Sequence, residues 1–209
     1  MANLFQTILW VLLAVILWKA IRFFALRLRL LLRLSGLRKV RGANVRIPRP
    51  LSVFSPRVPA RAFATITVGG ICFAVRPIHG GGGFRWLHFA SEEYAVCFSR
   101  MRARGVSPNK ATTPAGSRSI ALGGHVQILP KFSADGIEDL GRTEKTVPIL
   151  LLSPCPATLT YVTEEKTSIR VAFNGDELYG QKVFSLPSFC KFIDRMSRDN
   201  TQQQLFHDT

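Results

Sequence analysis

Residues 4–18 read LFQTILWVLLAVILW, and between Ile8 and Trp18 no side chain is suited to water. Alone, this block falls short of the ~20 residues that cross a hydrocarbon core. The chain continues as KAIRFFALRLRLLLRL over residues 19–34, with no Gly or Pro before Ser35-Gly36, so nothing stops a helix from carrying on. A helix over residues 4–34 is about 46 Å long, enough to cross the core and run through the interface. At ~100° per residue Lys19, Arg22, Arg29 and Arg33 fall within about 80° of one another, Leu and Phe cover most of the remaining circumference, and Arg27 breaks the apolar stripe. Residues 1–36 therefore read as a transmembrane helix with a basic interfacial extension. Trp10 and Trp18 pack in the span, and Lys19 and Arg22 snorkel towards headgroups.

The charge distribution agrees. The 209 residues hold 28 Lys and Arg against 13 Asp and Glu, a net charge of +15, and Glu92 is the first acidic residue. Residues 1–91 carry +14 of that excess and residues 92–209 carry +1. With no Lys or Arg before the span and many after it, the positive-inside rule puts the amino terminus across the membrane and residues 19–209 in the cytosol, as for a signal-anchor. A cleaved signal peptide wants a basic region ahead of the apolar run and a small-residue site behind it, and neither is present. A mitochondrial presequence fits the Arg-rich, acid-free half but not its dense apolar start, which leaves the mitochondrial inner membrane as the alternative to the endoplasmic reticulum. A buried helix of a soluble bundle suits the uniformly apolar run poorly. Each basic residue near an anionic leaflet contributes about 1 kcal/mol, so Arg22, Arg29, Arg33, Arg38 and Arg41 are candidates for contact with anionic headgroups or with partner subunits.

Hydrophobic residues make up 47% of the chain and Gly and Pro occupy 28 positions, which excludes collagen-like, wholly disordered and polytopic membrane classes. Four cysteines are too few for a disulfide-stapled miniprotein. Residues 37–62 read as an extended basic linker, in which Pro48, Pro50, Pro56 and Pro59 are interleaved with Arg41, Arg46, Arg49, Arg57 and Arg61. Within it, Pro56, Pro59 and Arg61 fit a PxxPxR peptide for an aromatic groove, and a semi-rigid spacer explains the same residues.

Residues 63–199 read as a domain. Two β-branched runs flank Gly69-Gly70 as a tight hairpin, and residues 84–89 form a third strand. Ser91-Glu92-Glu93 followed by Tyr94, Cys97, Phe98 and Met101 predicts an amphipathic helix over 91–104. A second hairpin is expected about Gly123-Gly124, and strands over 147–152, 158–163, 168–173 and 181–186. Pro187 opens a carboxy-terminal helix with Phe189, Phe192, Ile193 and Met196 on one face, before a polar tail over 200–209. Short connections argue for mainly antiparallel pairing, hence an α+β fold with two helices in the domain.

No motif names a reaction. The His79-Gly80-Gly81-Gly82-Gly83 string has the composition of an oxyanion-hole loop, but no Gly-x-Ser-x-Gly elbow accompanies it, and no Gly-Lys-Ser/Thr follows to make a phosphate loop. Cys72, Cys97, Cys155 and Cys190 are isolated, and no metal or cofactor is called for. Phe84-Arg85-Trp86 is the domain's one tight aromatic and basic cluster, which makes nucleic acid an unfavoured partner. The expectation is a non-catalytic accessory or adaptor subunit of a larger membrane assembly, in lipid transport or trafficking. Two alternatives stay open: a membrane-bound enzyme acting on a lipid through the His79 loop, and a mitochondrial RNA-binding or respiratory-complex subunit.

Overall fold

The computed structural model describes residues 2–55, 57–79, 86–98, 124–132, 145–163 and 169–207. Among them the fold is α+β. Helix α1 covers Ala2–Gly36 and is followed by a 3-10 turn, Leu37–Lys39. Strand β1, Asn44–Arg46, leads to a second 3-10 turn, Pro50–Phe54, and then to the hairpin of β2, Ala64–Val68, and β3, Ile71–His79. Both glycines between β2 and β3 have positive φ, 57° at Gly69 and 77° at Gly70, which is what a two-residue turn matched to strand twist requires. Strands β4, Trp86–Phe89, β5, Tyr94–Phe98, and β6, Gly124–Ile128, form a meander. Next come β7, Lys145–Ser153, β8, Thr158–Val162, β9, Ile169–Val171, β10, Glu177–Leu178, and β11, Gln181–Ser185. Helix α2, Leu186–His207, runs on through much of the stretch that its polar composition marks as a tail.

The strands make two mixed sheets, ordered β1-β2-β3-β7-β11-β10 and β6-β5-β4-β8-β9. Antiparallel ladders predominate, but β7 pairs in parallel with both β3 and β11, and β4 pairs in parallel with β8. Parallel neighbours need long crossovers. Here the other sheet supplies them: the chain leaves β3 for β4–β6 before returning at β7, and leaves β7 for β8 and β9 before β10 and β11. Pro148, which has no N–H to donate, lies one residue before the β7–β11 ladder begins at Ile149.

The larger sheet is the middle layer. One face packs Ile66, Phe73, Val75, Ile149, Leu151 and Phe184 against Leu30, Leu34 and Leu37 below α1 and against Phe189 and Ile193 of α2. Its other face packs Ile78, Leu150, Leu152 and Val183 against Leu87, Phe89, Ala95, Cys97 and Leu159 of the smaller sheet. The middle strand β7 is therefore apolar on both faces, as its unbroken Ile149-Leu-Leu-Leu152 run requires.

The helix expected over 91–104 is corrected. Residues 91–93 turn, with the Tyr94 N–H donating to the Ser91 carbonyl at 3.4 Å, and Tyr94–Phe98 is strand β5, paired with β4 and β6. The i, i+3, i+4 pattern arose because this strand is apolar on both sides. Ala95 and Cys97 face the inter-sheet core, and Val96 is buried on the opposite face. Residues 99–104, and the loop side of the expected hairpin at 119–123, lie outside the described residues.

Phe189 is fully buried and lies 6.3 Å from the Phe73 ring and 5.8 Å from that of Phe184. Truncation to Ala leaves a cavity between α2 and the middle sheet, so F189A should lose about 3–5 kcal/mol of stability in denaturant unfolding of the detergent-solubilised protein. A loss below ~1 kcal/mol would mean that the α2 interface contributes little to the core.

Candidate functional site

Helix α1 has two parts. From residue 4 to residue 19 every side chain is exposed, and Trp10 and Trp18 stand out at 63% and 67%. This is the one described helix long and apolar enough to cross a membrane, and its apolar window is 0% buried. Lower down, the helix joins the domain. Leu30 and Leu34 enter the core, and Arg27, only 4% exposed, donates from Nη1 to the carbonyls of Val53 and Ser55 while its guanidinium lies 3.9 Å from the Phe23 ring centre. Phe24 meets Phe54 at 5.4 Å, so the Pro50–Phe54 turn braces one flank of α1.

The opposite flank opens a groove of about 430 Å³ between α1, the end of β7 and the first turns of α2. From α1 come Leu26, Arg29 and Arg33, at i, i+3 and i+7 on one stripe. Leu152 to Cys155 form the floor, and Leu186, Pro187, Cys190 and Lys191 form the far wall. That wall is the amino end of α2, where the Ser185 hydroxyl caps the Ser188 N–H at 3.4 Å. Among the described residues, three basic side chains and no acidic one line the groove. Partial burial pushes the Cys190 thiol up in pKa, opposed by the charge of Arg33, and burial also raises Cys155, opposed by the Ser185 hydroxyl.

The residues singled out in the sequence divide accordingly. Lys19, Arg22, Arg29 and Arg33 form one exposed stripe on α1, and its lower half edges the groove. Arg38 is exposed and donates from Nε to the Val45 carbonyl at 3.3 Å, while Arg41 is exposed and its carbonyl accepts from the Ser197 hydroxyl of α2. These two therefore stitch the stretch after α1 to β1 and α2, away from the groove. In the proline segment, Pro56 lies outside the described residues, Pro59 is half-buried and Arg61 exposed, while Val58 between them belongs to the inter-sheet core at 7% exposure. The stretch given as linker also contributes β1, paired with β2, and Val45 and Val53 to the core. His79 ends β3 opposite Ser153, and the glycines after it lie outside the described residues. Composition does not reveal the far wall of the groove, because its residues come from more than 120 positions further along the chain.

Two buried polar side chains lie within the sheets, Arg76 on the inter-sheet side of the larger one and His88 on the face of the smaller one turned away from the inter-sheet core. Arg76, 1% exposed, donates to the Pro130 carbonyl at 2.6 Å and to Gln181 Oε1 at 2.8 Å, tying β3 and β11 to the chain leaving β6. Burial lowers its pKa to about 10, against the opposing charge of Glu92. His88, fully buried, lies 2.9 Å from Thr160 Oγ1, which also accepts from Trp86 Nε1 at 2.8 Å. Among the described residues no three His, Cys, Asp or Glu side chains are grouped so as to hold a metal ion. No family model, curated protein or solved structure matches the chain.

Burial lowers the His88 pKa to about 4 from an ordinary 6.5. The unfolded chain then binds this proton between those two values while the folded chain does not, so stability is full above pH 6.5 and falls as the pH drops towards 4. The loss should be roughly 3 kcal/mol, at about 1.4 kcal/mol per pH unit. Denaturant melts of wild type and His88→Asn across that range check it: the difference between the two should shrink with acidification, and parallel curves would show that His88 does not titrate this way.

Proposed function

We propose that this chain is a single-pass membrane protein whose α+β domain serves as a non-catalytic accessory or adaptor subunit at the cytosolic face of a membrane assembly, with the endoplasmic reticulum as its site. The observation that carries the reading is the continuity of α1. Its bare apolar part passes without a break into a part locked in the domain core. About 20 residues are needed to cross the hydrocarbon, so a span starting at Leu4 ends near Phe23, one turn above Arg27. The domain then meets the headgroup layer directly. Leu51, 79% exposed in the turn that braces α1, and the cationic stripe below Trp18 suit that depth.

The adaptor part rests on the smaller sheet. Its edge strands β6 and β9 carry exposed Ile128 and Val171, and Phe173 beyond β9 is 70% exposed. Apolar side chains along an open sheet edge are a surface for another protein.

Tagged full-length protein, extracted from native membranes in mild detergent, should bring down a stoichiometric set of membrane proteins that survives a salt wash. A V171E/F173E variant should stay in the carbonate-resistant membrane fraction and lose that set. Recovery of the protein alone would overturn the adaptor reading, and release by carbonate would overturn the anchor.

A further inference from the structure

We propose that the groove beside α1 is a binding site for a single anionic phospholipid of the leaflet that faces the domain. The inference rests on the anchored reading above and adds the ligand.

The argument starts from charge. Among the described residues the lining holds Arg29, Arg33 and Lys191 and no carboxylate, so its polar edge suits an anion and repels a cation. The first turn of α2 adds the positive end of a 22-residue helix to the same wall. Much of the remaining lining is apolar, with Leu26, Leu152, Pro154 and Leu186. Inorganic phosphate or a nucleotide has no use for that floor. A molecule with a phosphate at one end and hydrocarbon at the other satisfies both parts, and about 430 Å³ accommodates a headgroup with the upper part of an acyl chain.

Depth supports the same ligand. With the hydrocarbon edge near Phe23, Leu26 lies about 4–5 Å and Arg29 about 9 Å below it along the helix. Polar interface adds roughly 5–8 Å to each side of the ~30 Å core, so Leu26 lies at the depth of the headgroup layer and Arg29 just below it, within reach of a long side chain that points back towards the amino end of its helix, while Arg33, about 15 Å down, marks the inner end of the groove. Lys19 and Arg22 extend the stripe upward on the same side of α1, forming a cationic track from the bilayer to the groove. A lipid can thus enter sideways from the leaflet, keeping its tail in hydrocarbon. Each guanidinium then exchanges water for a charge-assisted bond to phosphate.

Cys155, exposed in the groove floor, provides a built-in reporter. Full-length protein in detergent micelles is treated with a maleimide at pH 8, and labelling of the Cys155 peptide is followed by mass spectrometry with phosphatidylserine, phosphatidylcholine or inorganic phosphate present. At phosphatidylserine levels four times the dissociation constant, labelling should slow about fivefold. Phosphatidylcholine and phosphate should leave the rate unchanged. An R29Q/R33Q variant, altered only at exposed positions, should bind phosphatidylserine at least about tenfold more weakly. Cys190→Phe, which fills the groove and keeps its charges, should abolish protection and the one-to-one lipid adduct in native mass spectra.

Equal protection by phosphatidylcholine, or none by phosphatidylserine, overturns the proposal. Protection by inorganic phosphate alone reassigns the groove to a soluble anion. Phosphatidylserine protection that persists in Cys190→Phe shows surface attraction in place of a seated lipid, and also overturns it. Because the assay is run in micelles and needs no partner protein, its failure is distinct from failure of the anchor or adaptor readings, which carbonate extraction and co-purification report.

Discussion

The structure depends on one constraint: α1 is a single rigid rod, so whatever fixes its exposed upper part also fixes the domain. Leu30, Leu34 and Leu37 put the lower part into the core against the middle sheet, and Arg27 bonds sideways to the carbonyls of Val53 and Ser55. These contacts lie on one side of the helix, and together they set both its tilt and its rotation. Rotation matters here because the cationic stripe from Lys19 to Arg33 occupies the neighbouring side. Had the core claimed a different face, Arg29 and Arg33 would not meet α2, and no groove would form.

The interleaved sheets explain how such a small domain holds two helices on one side. Each time the chain leaves the middle sheet it builds part of the smaller one, and among the described residues β7 is covered by the two helices on one face and by the smaller sheet on the other. The helices are thereby free to share the remaining face. Arg76 makes the join between layers directional, because its bonds to Gln181 and to the Pro130 carbonyl link three strands' worth of chain at one point. Removing either acceptor would leave a buried charge under-compensated, so these bonds hold the strands in place.

Much of this was legible where local chemistry decides. The Gly69-Gly70 hairpin, the strands at 158–162 and 181–185, and the apolar helix all follow from turn residues and periodicity. Local chemistry does not carry the rest. Tyr94–Phe98 shows apolar residues on both faces, so a period of two imitates a helical one. The Pro-rich stretch hides β1 because a three-residue strand with one apolar side chain, ending on Arg46, gives no pattern, although Val45 and Val53 are buried. Parallel pairing of β3 with β7 joins segments separated by the whole β4–β6 meander, and nothing local encodes it. Of the groove, Arg29 and Arg33 were readable as a stripe, but the wall opposite them exists only once α2 has folded back onto the middle sheet.

The charge split takes on a more specific meaning in the fold. An acid-free stretch of 91 residues cannot neutralise its own cations, so the ones that fold inward must find other acceptors. Arg27 and Arg76 do so with backbone carbonyls and an amide, and the single described ion pair, Arg198 with Asp194, lies on exposed α2 surface. Compensation within the domain therefore uses up little of the excess. Six of the others stay on the surface along and beside α1, Lys19, Arg22, Arg29 and Arg33 on the helix and Arg49 and Arg57 beside the bracing turn. Like charges along one surface repel one another, and an anion bound there would relieve that repulsion. With two arginines buried on neutral partners, the six cations along and beside one apolar helix have no ion-pair partner among the described residues, and they are what the proposed anionic surface would compensate.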